Sequence, residues 1–246
     1  MRYLFIFSLL ILISCKPAEA NLTAQQIIDK TILFSGVDKV INSEITFKFR
    51  DKQYAATREN KSFKLYRHFI KDSIVIEDIL TNNGYERLEN TKRVEVADSM
   101  ISRYSNSINS VHYFSVLPYG LNDKAVQKKI LESSIIKGKE YYKIEISFSE
   151  NGGGEDFEDI FIYWIGKENF LIDYLAYSYH TNGGGIRFRV LKEQCVKGGI
   201  RFVDYYNYKP IDSEISLLDT DKAFENNRLK KVSEIILKDI KVKLLD

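Results

Sequence analysis

Cysteine and histidine are scarce in this chain of 246 residues, and their scarcity excludes several kinds of site. The sequence contains two cysteines and three histidines. Zinc sites built from several cysteines are therefore excluded. The histidines lie in three different segments without the spacing of paired metal ligands, and the HExxH motif is absent. We expect no metal and no cofactor.

An excess of charge of one sign is also missing. Lysine and arginine number 36, aspartate and glutamate number 34, and the formal net charge is +2. Such a chain has no basic field to attract nucleic acid, so we expect no nucleic-acid partner. It also contains neither a GxSxG elbow nor a GxxxxGK[ST] phosphate loop. We expect a protein that is not an enzyme, although dispersed acidic residues leave a hydrolase as an alternative.

The longest hydrophobic run is too short to span a bilayer, and it lies at the start of the chain. Residues 4–13 are almost entirely apolar and follow the positive charge of Arg2. Ser14 and Cys15 come next, in the pattern of a bacterial lipobox. A short apolar run behind a positive charge is typical of a secretory signal. We therefore interpret residues 1–14 as a lipoprotein signal peptide and Cys15 as the residue that receives the lipid.

Lipidation of Cys15 would anchor the mature chain to a membrane through its acyl chains. Each buried methylene contributes about 0.8 kcal/mol, so two or more chains anchor a protein stably. Residues 15–22 would then form a tether. The alternative is an ordinary cleaved signal beside an unmodified cysteine. With Cys15 lipidated, Cys195 has no partner for an internal disulfide, and we expect a surface or partly buried thiol there.

The chain after the tether shows no low-complexity linker, so we interpret residues 23–246 as a single domain. Its first element is a helix. Thr23 and Gln26 have the spacing of a capping box. Apolar residues on one face predict a helix over residues 24–34, and Gly36 ends it.

A second helical segment interrupts a long series of strands. Residues 98–117 repeat apolar side chains at steps of three and four, and Pro118 ends the segment. The serine and asparagine content of this segment favours two shorter helices. About ten other segments alternate apolar and polar residues with period two. They are residues 45–49, 63–66, 73–80, 85–89, 141–148, 157–165, 171–180, 186–191, 200–208 and 235–245.

Short hairpins between these strands imply an antiparallel sheet. The helices are the only material available to cover its apolar face. We therefore expect an α+β fold that is mostly β. One large curved antiparallel sheet, an incomplete barrel, wraps around two or three helices.

Aromatic residues concentrate between residues 141 and 208, and the strand at 157–165 is apolar on both faces. Such a strand is covered on both sides or faces a ligand cavity, and both interpretations stay open. The histidine of the second helical segment falls on an apolar face, as a core or cavity-lining residue does. The candidates for lining a cavity on the concave face are Ile144, Ile146, Phe148, Ile160, Ile162, Trp164 and His112.

The tetrapeptide Asn-Gly-Gly-Gly occurs twice, each time at a predicted hairpin. Glycine supplies the positive φ that tight turns need. Because alternate turns of a meander fall on the same edge of a sheet, we expect both loops on one rim. The charged residues beside them form either cross-strand ion pairs or a charged lip over a cavity mouth. The rim loops are Asn151, Gly152, Gly153, Gly154 and Asn182, Gly183, Gly184, Gly185.

Four stretches of the chain resemble a family of Bacteroidetes lipoproteins of unknown function. They read NSVHYFSVLPYGLND at 109–123, DFEDIFIYW at 156–164, DYLAYSYH at 173–180 and GIRFVD at 199–204. The layout of an N-terminal helix and a large incomplete barrel around helices is distantly similar to the lipoprotein-localisation factors of the LolA and LolB type. That resemblance implies a half-barrel with a hydrophobic cavity for acyl chains, and no enzyme.

These observations together predict a membrane-anchored lipoprotein of the bacterial cell envelope, with the outer membrane as the expected location. Its expected partners are the membrane, through the anchor, and a lipid or another lipoprotein, whose acyl chains would enter a concave cavity. The alternative is an envelope interaction or structural module without a ligand cavity.

Lipidation is tested by the substitution Cys15→Ala. We expect an unprocessed precursor, detected by its mass, because the modification that licenses cleavage needs the thiol. Release of a normally matured soluble protein would contradict the assignment.

Overall fold

The computed structural model describes residues 22–151, 158–180 and 183–245. Within these ranges the strands form two antiparallel sheets of seven strands each, and the sheets do not close into a barrel. No helix in the described part of the chain is long and apolar enough to cross a membrane.

Most strands follow one another directly in long meanders, and the helices lie before and between these series. Three α-helices are present in the described ranges, α1 (Ala24–Ser35), α2 (Asp98–Ser115) and α3 (Thr220–Glu225), with 3-10 helices at Val37–Asn42 and Leu217–Asp219. The first sheet contains β1 (Ser43–Phe49), β2 (Lys52–Glu59), β3 (Ser62–Lys71), β4 (Ile74–Thr81), β5 (Gly84–Glu89), β6 (Lys92–Val94) and β14 (Leu237–Leu244). The second contains β7 (Val126–Ile136), β8 (Lys139–Phe148), β9 (Phe161–Gly166), β10 (Ile172–Tyr179), β11 (Gly185–Lys197), β12 (Ile200–Pro210) and β13 (Leu229–Ile235).

The expected fold class, mostly antiparallel β with a few helices and an unclosed barrel, is confirmed. The expectation of one continuous sheet is corrected to two sheets. They are joined by the chain itself, because only Ile236 separates β13 of the second sheet from β14 of the first. They also share one hydrophobic cluster, in which Ile45 and Phe47 of β1 meet Phe202 of β12.

Helix α1 begins and ends as its sequence predicts. Thr23 and Gln26 form both hydrogen bonds of the capping box, and Gly36 takes a left-handed conformation at the end of the helix. The buried face of the helix includes Ile27 and Ile28, which pack in the cluster on the inner face of the second sheet.

Helix α2 is one continuous helix of 18 residues, so the expectation of two shorter helices is wrong. Its weak intrinsic propensity is offset by contacts with the first sheet. Arg67 of β3 donates to Ser107 Oγ at 2.8 Å, and Ile108 is completely buried against the sheet. Tertiary packing therefore stabilises a segment whose composition alone favours a break.

Four strands and one α-helix in the described ranges were not expected, namely β2, β6, β7, β13 and α3. Strand β7 is mostly exposed and polar, so its apolar residues do not alternate cleanly. Helix α3 has only six residues, too few to establish a helical period. The strand expected at 157–165 is shorter, since β9 begins at Phe161.

The second sheet has both faces covered, and every residue of β9 is buried. On its inner face, Phe161, Tyr163 and Ile165 pack with α1 and the segment that follows α2. On its outer face, Ile162 and Trp164 pack with other aromatic residues and with Phe224 of α3. The expectation that this strand is apolar on both sides is confirmed.

A close backbone contact fixes α1 against the second sheet. Gly36 has φ +65°, and a Cβ atom added there would lie 1.9 Å from the carbonyl oxygen of Gly199, in the turn between β11 and β12. Gly138 also has a positive φ, +76°, but an added Cβ would meet no atom within 4 Å.

We predict that Gly36→Ala lowers the free energy of unfolding by about 3 kcal/mol or more, since it combines left-handed strain with a backbone clash. The matched control Gly138→Ala retains only the left-handed strain, about 1 kcal/mol. Urea denaturation of both variants measures the difference. Equal losses would show that the contact with Gly199 does not constrain the fold.

Candidate functional site

The strand register separates the residues predicted to line a cavity. Ile144 and Ile146 of β8 lie opposite Tyr163 and Phe161 of β9, whereas Ile162 lies opposite Glu145. Since side chains alternate between the faces of a strand, Ile144, Ile146 and Phe148 face the inner cluster. Ile162 and Trp164 face the outer one. The expectation that Ile144, Ile146 and Phe148 share one face of the sheet with Ile162 and Trp164 is therefore wrong.

Four of these residues are completely buried. Ile144, Ile146, Ile162 and Trp164 have 0% of their surface accessible, so none of them borders a void that admits water. Ile160 precedes β9 and is 38% exposed. A ligand would reach the inner cluster only after the core had rearranged. The role of these residues in ligand binding stays a prediction.

Trp164 belongs to a buried polar cluster on the outer face of the second sheet. Its Nε1 donates to Asp221 Oδ2 at 3.2 Å, and Ser134 Oγ donates to the same oxygen at 2.7 Å. Lys143 Nζ lies 3.3 Å from both carboxylate oxygens of Asp221 and donates to Leu218 O at 2.6 Å. These contacts attach α3 to the sheet, which gives the tryptophan a structural role.

His112 lies between α2 and the first sheet with 1% of its surface exposed. Its ring contacts the Phe47 and Tyr54 rings edge-on, and its Nε2 lies 3.0 Å from Tyr66 O. Burial lowers the pKa of His112 to about 3, and the nearby charge of Arg58 acts in the same direction, against the hydrogen bond with Tyr66. The ring is therefore neutral in the folded protein, as a core histidine is.

Only part of the two rim loops lies within the described residues. Gly152–Gly154 and Asn182 are outside them, and Asn151 is an exposed turn residue. Phe161 of β9 lies opposite both Ile146 of β8 and Tyr177 of β10, so the strand ends beside both loops lie at the same end of the sheet. His180 Nδ1 lies 3.5 Å from Asp159 Oδ1 across this end.

The best candidate site is a groove of about 550 Å³ between α2 and the inner face of the first sheet, within the size range of small-molecule sites. Its lining residues come from β2 to β5 and from the first three turns of α2. They are Lys52, Arg67, Phe69, Lys71, Asp72, Ile74, Ile76, Arg87, Glu89, Met100, Arg103, Tyr104 and Ser107.

The floor of the groove consists of two rows that contain its apolar residues, and it ends at a charged row. Lys71 lies opposite Ile74 in the first row, and Ile76 lies between Phe69 and Glu89 in the second. In the third row Asp78 lies between Arg67 and Arg87. Successive rows along the strands are about 7 Å apart. The groove therefore has a short apolar floor, with charges at both ends.

Asp78 is completely buried and holds the third row together. It accepts hydrogen bonds from Arg67 at 2.6 and 2.9 Å, from Arg87 at 2.7 and 3.1 Å, and from Tyr85 OH. Burial by itself would raise the pKa of Asp78, but the hydrogen bonds from Arg87, Tyr85 and Arg67 outweigh it and lower the pKa. The carboxylate is thus charged, and it occupies both guanidinium groups.

Helix α2 forms the opposite wall of the groove. Met100, Arg103, Tyr104 and Ser107 follow at steps of three and four, so they share one helix face. Tyr104 and Ser107 lie over the charged row, since the Arg87 guanidinium is 4.1 Å from the Tyr104 ring and Arg67 donates to Ser107. Met100 and Arg103 lie about one turn earlier in the helix, and both line the groove.

The sequence did not lead us to predict this groove, although the strand pattern contains a signal for it. Arg67 and Asp78 occupy positions where the period-two pattern of their strands places an inward-facing side chain. Two charged residues at inward positions of neighbouring strands indicate a buried ion pair. No group of three or more histidine, cysteine, aspartate or glutamate residues in the described ranges has an arrangement suited to a metal ion.

The two curved antiparallel sheets, the N-terminal helix and the inner helix define a LolA-type fold. A LolA superfamily protein from Nitrosomonas europaea has this fold, with a TM-score of 0.52 and 12% identity over 92% of this chain and 96% of that chain. A DUF1329 family protein from Desulfovibrio piger is similar with a TM-score of 0.43 and 12% identity, over 89% and 92% of the two chains. At such identities the likeness concerns the fold alone.

The chain belongs to a family described as a family of unknown function, DUF6503, which it matches over residues 2–236. A comparison with curated proteins finds no match. The expected family of unknown function and the expected similarity to the LolA fold are confirmed, whereas an origin in Bacteroidetes stays a prediction.

The burial of His112 predicts a pH dependence of stability. Below pH 6.5 His112 binds a proton in the unfolded chain, whereas in the folded chain it stays neutral down to about pH 3. Because the unfolded state binds more protons, the free energy of unfolding falls as the pH falls. Between pH 7.5 and pH 5 the loss amounts to about 2 kcal/mol.

Urea denaturation at the two pH values measures this loss. We expect the loss to be about 2 kcal/mol smaller in His112→Gln than in the wild type. The control His68→Gln, on the outer face of β3, leaves His112 in place and should retain the part of the loss that His112 causes. Equal losses in the wild type and in His112→Gln would contradict the assignment.

Proposed function

We propose that this protein is a non-catalytic, lipid-anchored protein of the cell envelope that binds the apolar part of an amphiphile in the groove between α2 and the first sheet. The observation that carries the proposal is the groove itself. It combines a volume of about 550 Å³ with an apolar floor of Phe69, Ile74 and Ile76, opposite Met100. The ligand class is a lipid or the acyl chain of another lipoprotein.

The groove supports binding better than the aromatic clusters of the second sheet do. Those clusters contain residues with no accessible surface, whereas Lys71, Asp72 and Arg103 at the groove are exposed and leave it open to solvent. A LolA-type fold with a site on its inner surface is consistent with the sequence-based expectation of a concave binding face.

The proposed anchor and location rest on the sequence. Cys15 and residues 16–21 of the tether lie outside the described residues, and the support for the anchor is the short apolar run, the preceding arginine and the lipobox. The outer membrane is the proposed location.

The binding of acyl chains is tested by competition of saturated fatty acids of increasing length against a fluorescent fatty acid. Affinity should rise with length, since each buried methylene contributes about 0.8 kcal/mol, and should level off once the chain reaches the charged row. Phe69→Ala should weaken binding about tenfold. Its neighbour on the other face of β3, Ile70, is 67% exposed, so Ile70→Ala is the matched control and should bind as the wild type does.

Circular dichroism and urea denaturation check that both variants are folded. A folded wild-type protein that binds no fatty acid of any length would overturn the proposal. The alternative of an envelope interaction module without a ligand would then take its place.

A further inference from the structure

We infer that the ligand of the groove carries an anionic head group, which Lys71 and Arg103 bind at the groove mouth. This inference rests on the proposed function and specifies its ligand. It follows from the charges that line the groove, from the pairing of each cation, and from the position of the unpaired cations relative to the apolar floor.

Cations outnumber carboxylates around the groove. Five of the lining residues are lysine or arginine, whereas Asp72 and Glu89 are the two acidic ones. Even with the partner carboxylates of Asp51 and Asp78 included, the cations remain in excess by one. An anionic ligand therefore complements the site better than a neutral or cationic one.

Three of the five cations already have carboxylate partners. Arg67 and Arg87 bind Asp78, and Lys52 lies 2.9 Å from Asp51 Oδ2. The Lys52 ammonium also lies 4.7 Å from the centre of the Phe69 ring. These groups shape the floor and the closed end of the groove, where Arg67 and Arg87 share the single carboxylate of Asp78.

Lys71 and Arg103 differ from the other three cations. Neither forms an ion pair with any residue in ranges 22–151, 158–180 and 183–245, and both side chains belong to exposed residues. Lys71 ends β3 in the outermost row of the floor, beside Ile74. Arg103 faces the groove from α2. Two available cations therefore flank the entrance to a short apolar floor.

This arrangement suits an amphiphile in one orientation. The charged head contacts Lys71 and Arg103 at the mouth, where water can still reach it, and the chain lies on Phe69 and Ile76. The closed end is less suitable for an anion, because an anion there would lie beside the buried Asp78 carboxylate, to which both arginines already donate. The short floor accommodates only the first part of a long chain.

The test compares decanoate with decanol, which share a chain and differ in the charge of the head. Calorimetric titration of the wild type should show decanoate binding about fivefold to tenfold more tightly at low ionic strength, and added salt should reduce the preference. In Lys71→Gln and in Arg103→Gln the preference, measured as the ratio of the affinities for decanoate and decanol, should fall. Asp72→Asn should increase the preference, because it removes a carboxylate at the mouth.

Two controls separate charge at the mouth from charge elsewhere. Arg93 of β6 is 75% exposed at its side chain and does not line the groove, so Arg93→Gln should keep the wild-type preference. Acetate has the carboxylate without the chain and should compete only at far higher concentration. Acetate that competes as well as decanoate would overturn the inference of an amphiphile.

The outcomes distinguish this inference from the proposed function. Equal affinities of the wild type for decanoate and decanol would overturn the anionic head group and leave chain binding intact. A decanoate preference that survives in Lys71→Gln and in Arg103→Gln would overturn the assignment to these two residues. Failure of the folded protein to bind either compound would overturn the proposed function itself.

Discussion

The ion-pair network around Asp78 is the interaction on which the first sheet and its groove depend. A single buried carboxylate connects β3, β4 and β5 through two guanidinium groups and a phenol, and Arg67 extends the network to α2 through Ser107. A buried charge is tolerated only when it is paired and hydrogen-bonded, so removal of Asp78 would leave Arg67 and Arg87 without the carboxylate that they share. The network therefore determines where α2 lies and where the groove ends.

The apolar faces of the two sheets are covered in different ways. The second sheet has helical cover on both sides, with α1 and the end of α2 on one face and α3 on the other. The inner face of the first sheet is covered at β1 and β2 by the 3-10 helix Val37–Asn42 and by Phe202. At β3 to β5 its cover is α2, whose buried residues belong to the second half of the helix. The remaining part of that face stays open beside Met100 and Arg103, and this incomplete cover produces the groove.

The same comparison explains why the aromatic residues belong to packed clusters and the open groove lies elsewhere. The aromatic residues of the second sheet fill its core, where Trp164 and Tyr163 are completely buried on opposite faces of β9. The open site lies in the sheet with the more charged inner face. Charged side chains at inward positions keep a concave surface hydrated and accessible, whereas aromatic ones close it by packing.

The sequence by itself determined the local features of this protein. The capping box at Thr23, the left-handed Gly36, the period-two strands and the two apolar faces of β9 all follow from residues near one another in the chain. Only the tertiary structure decided the division into two sheets, the face on which Ile162 lies relative to Ile144, and the meeting of Asp78 with Arg67 and Arg87. The physical reason is that periodicity is a local property, whereas strand register and helical cover depend on pairings between distant segments, where a shift of one residue reverses every side chain.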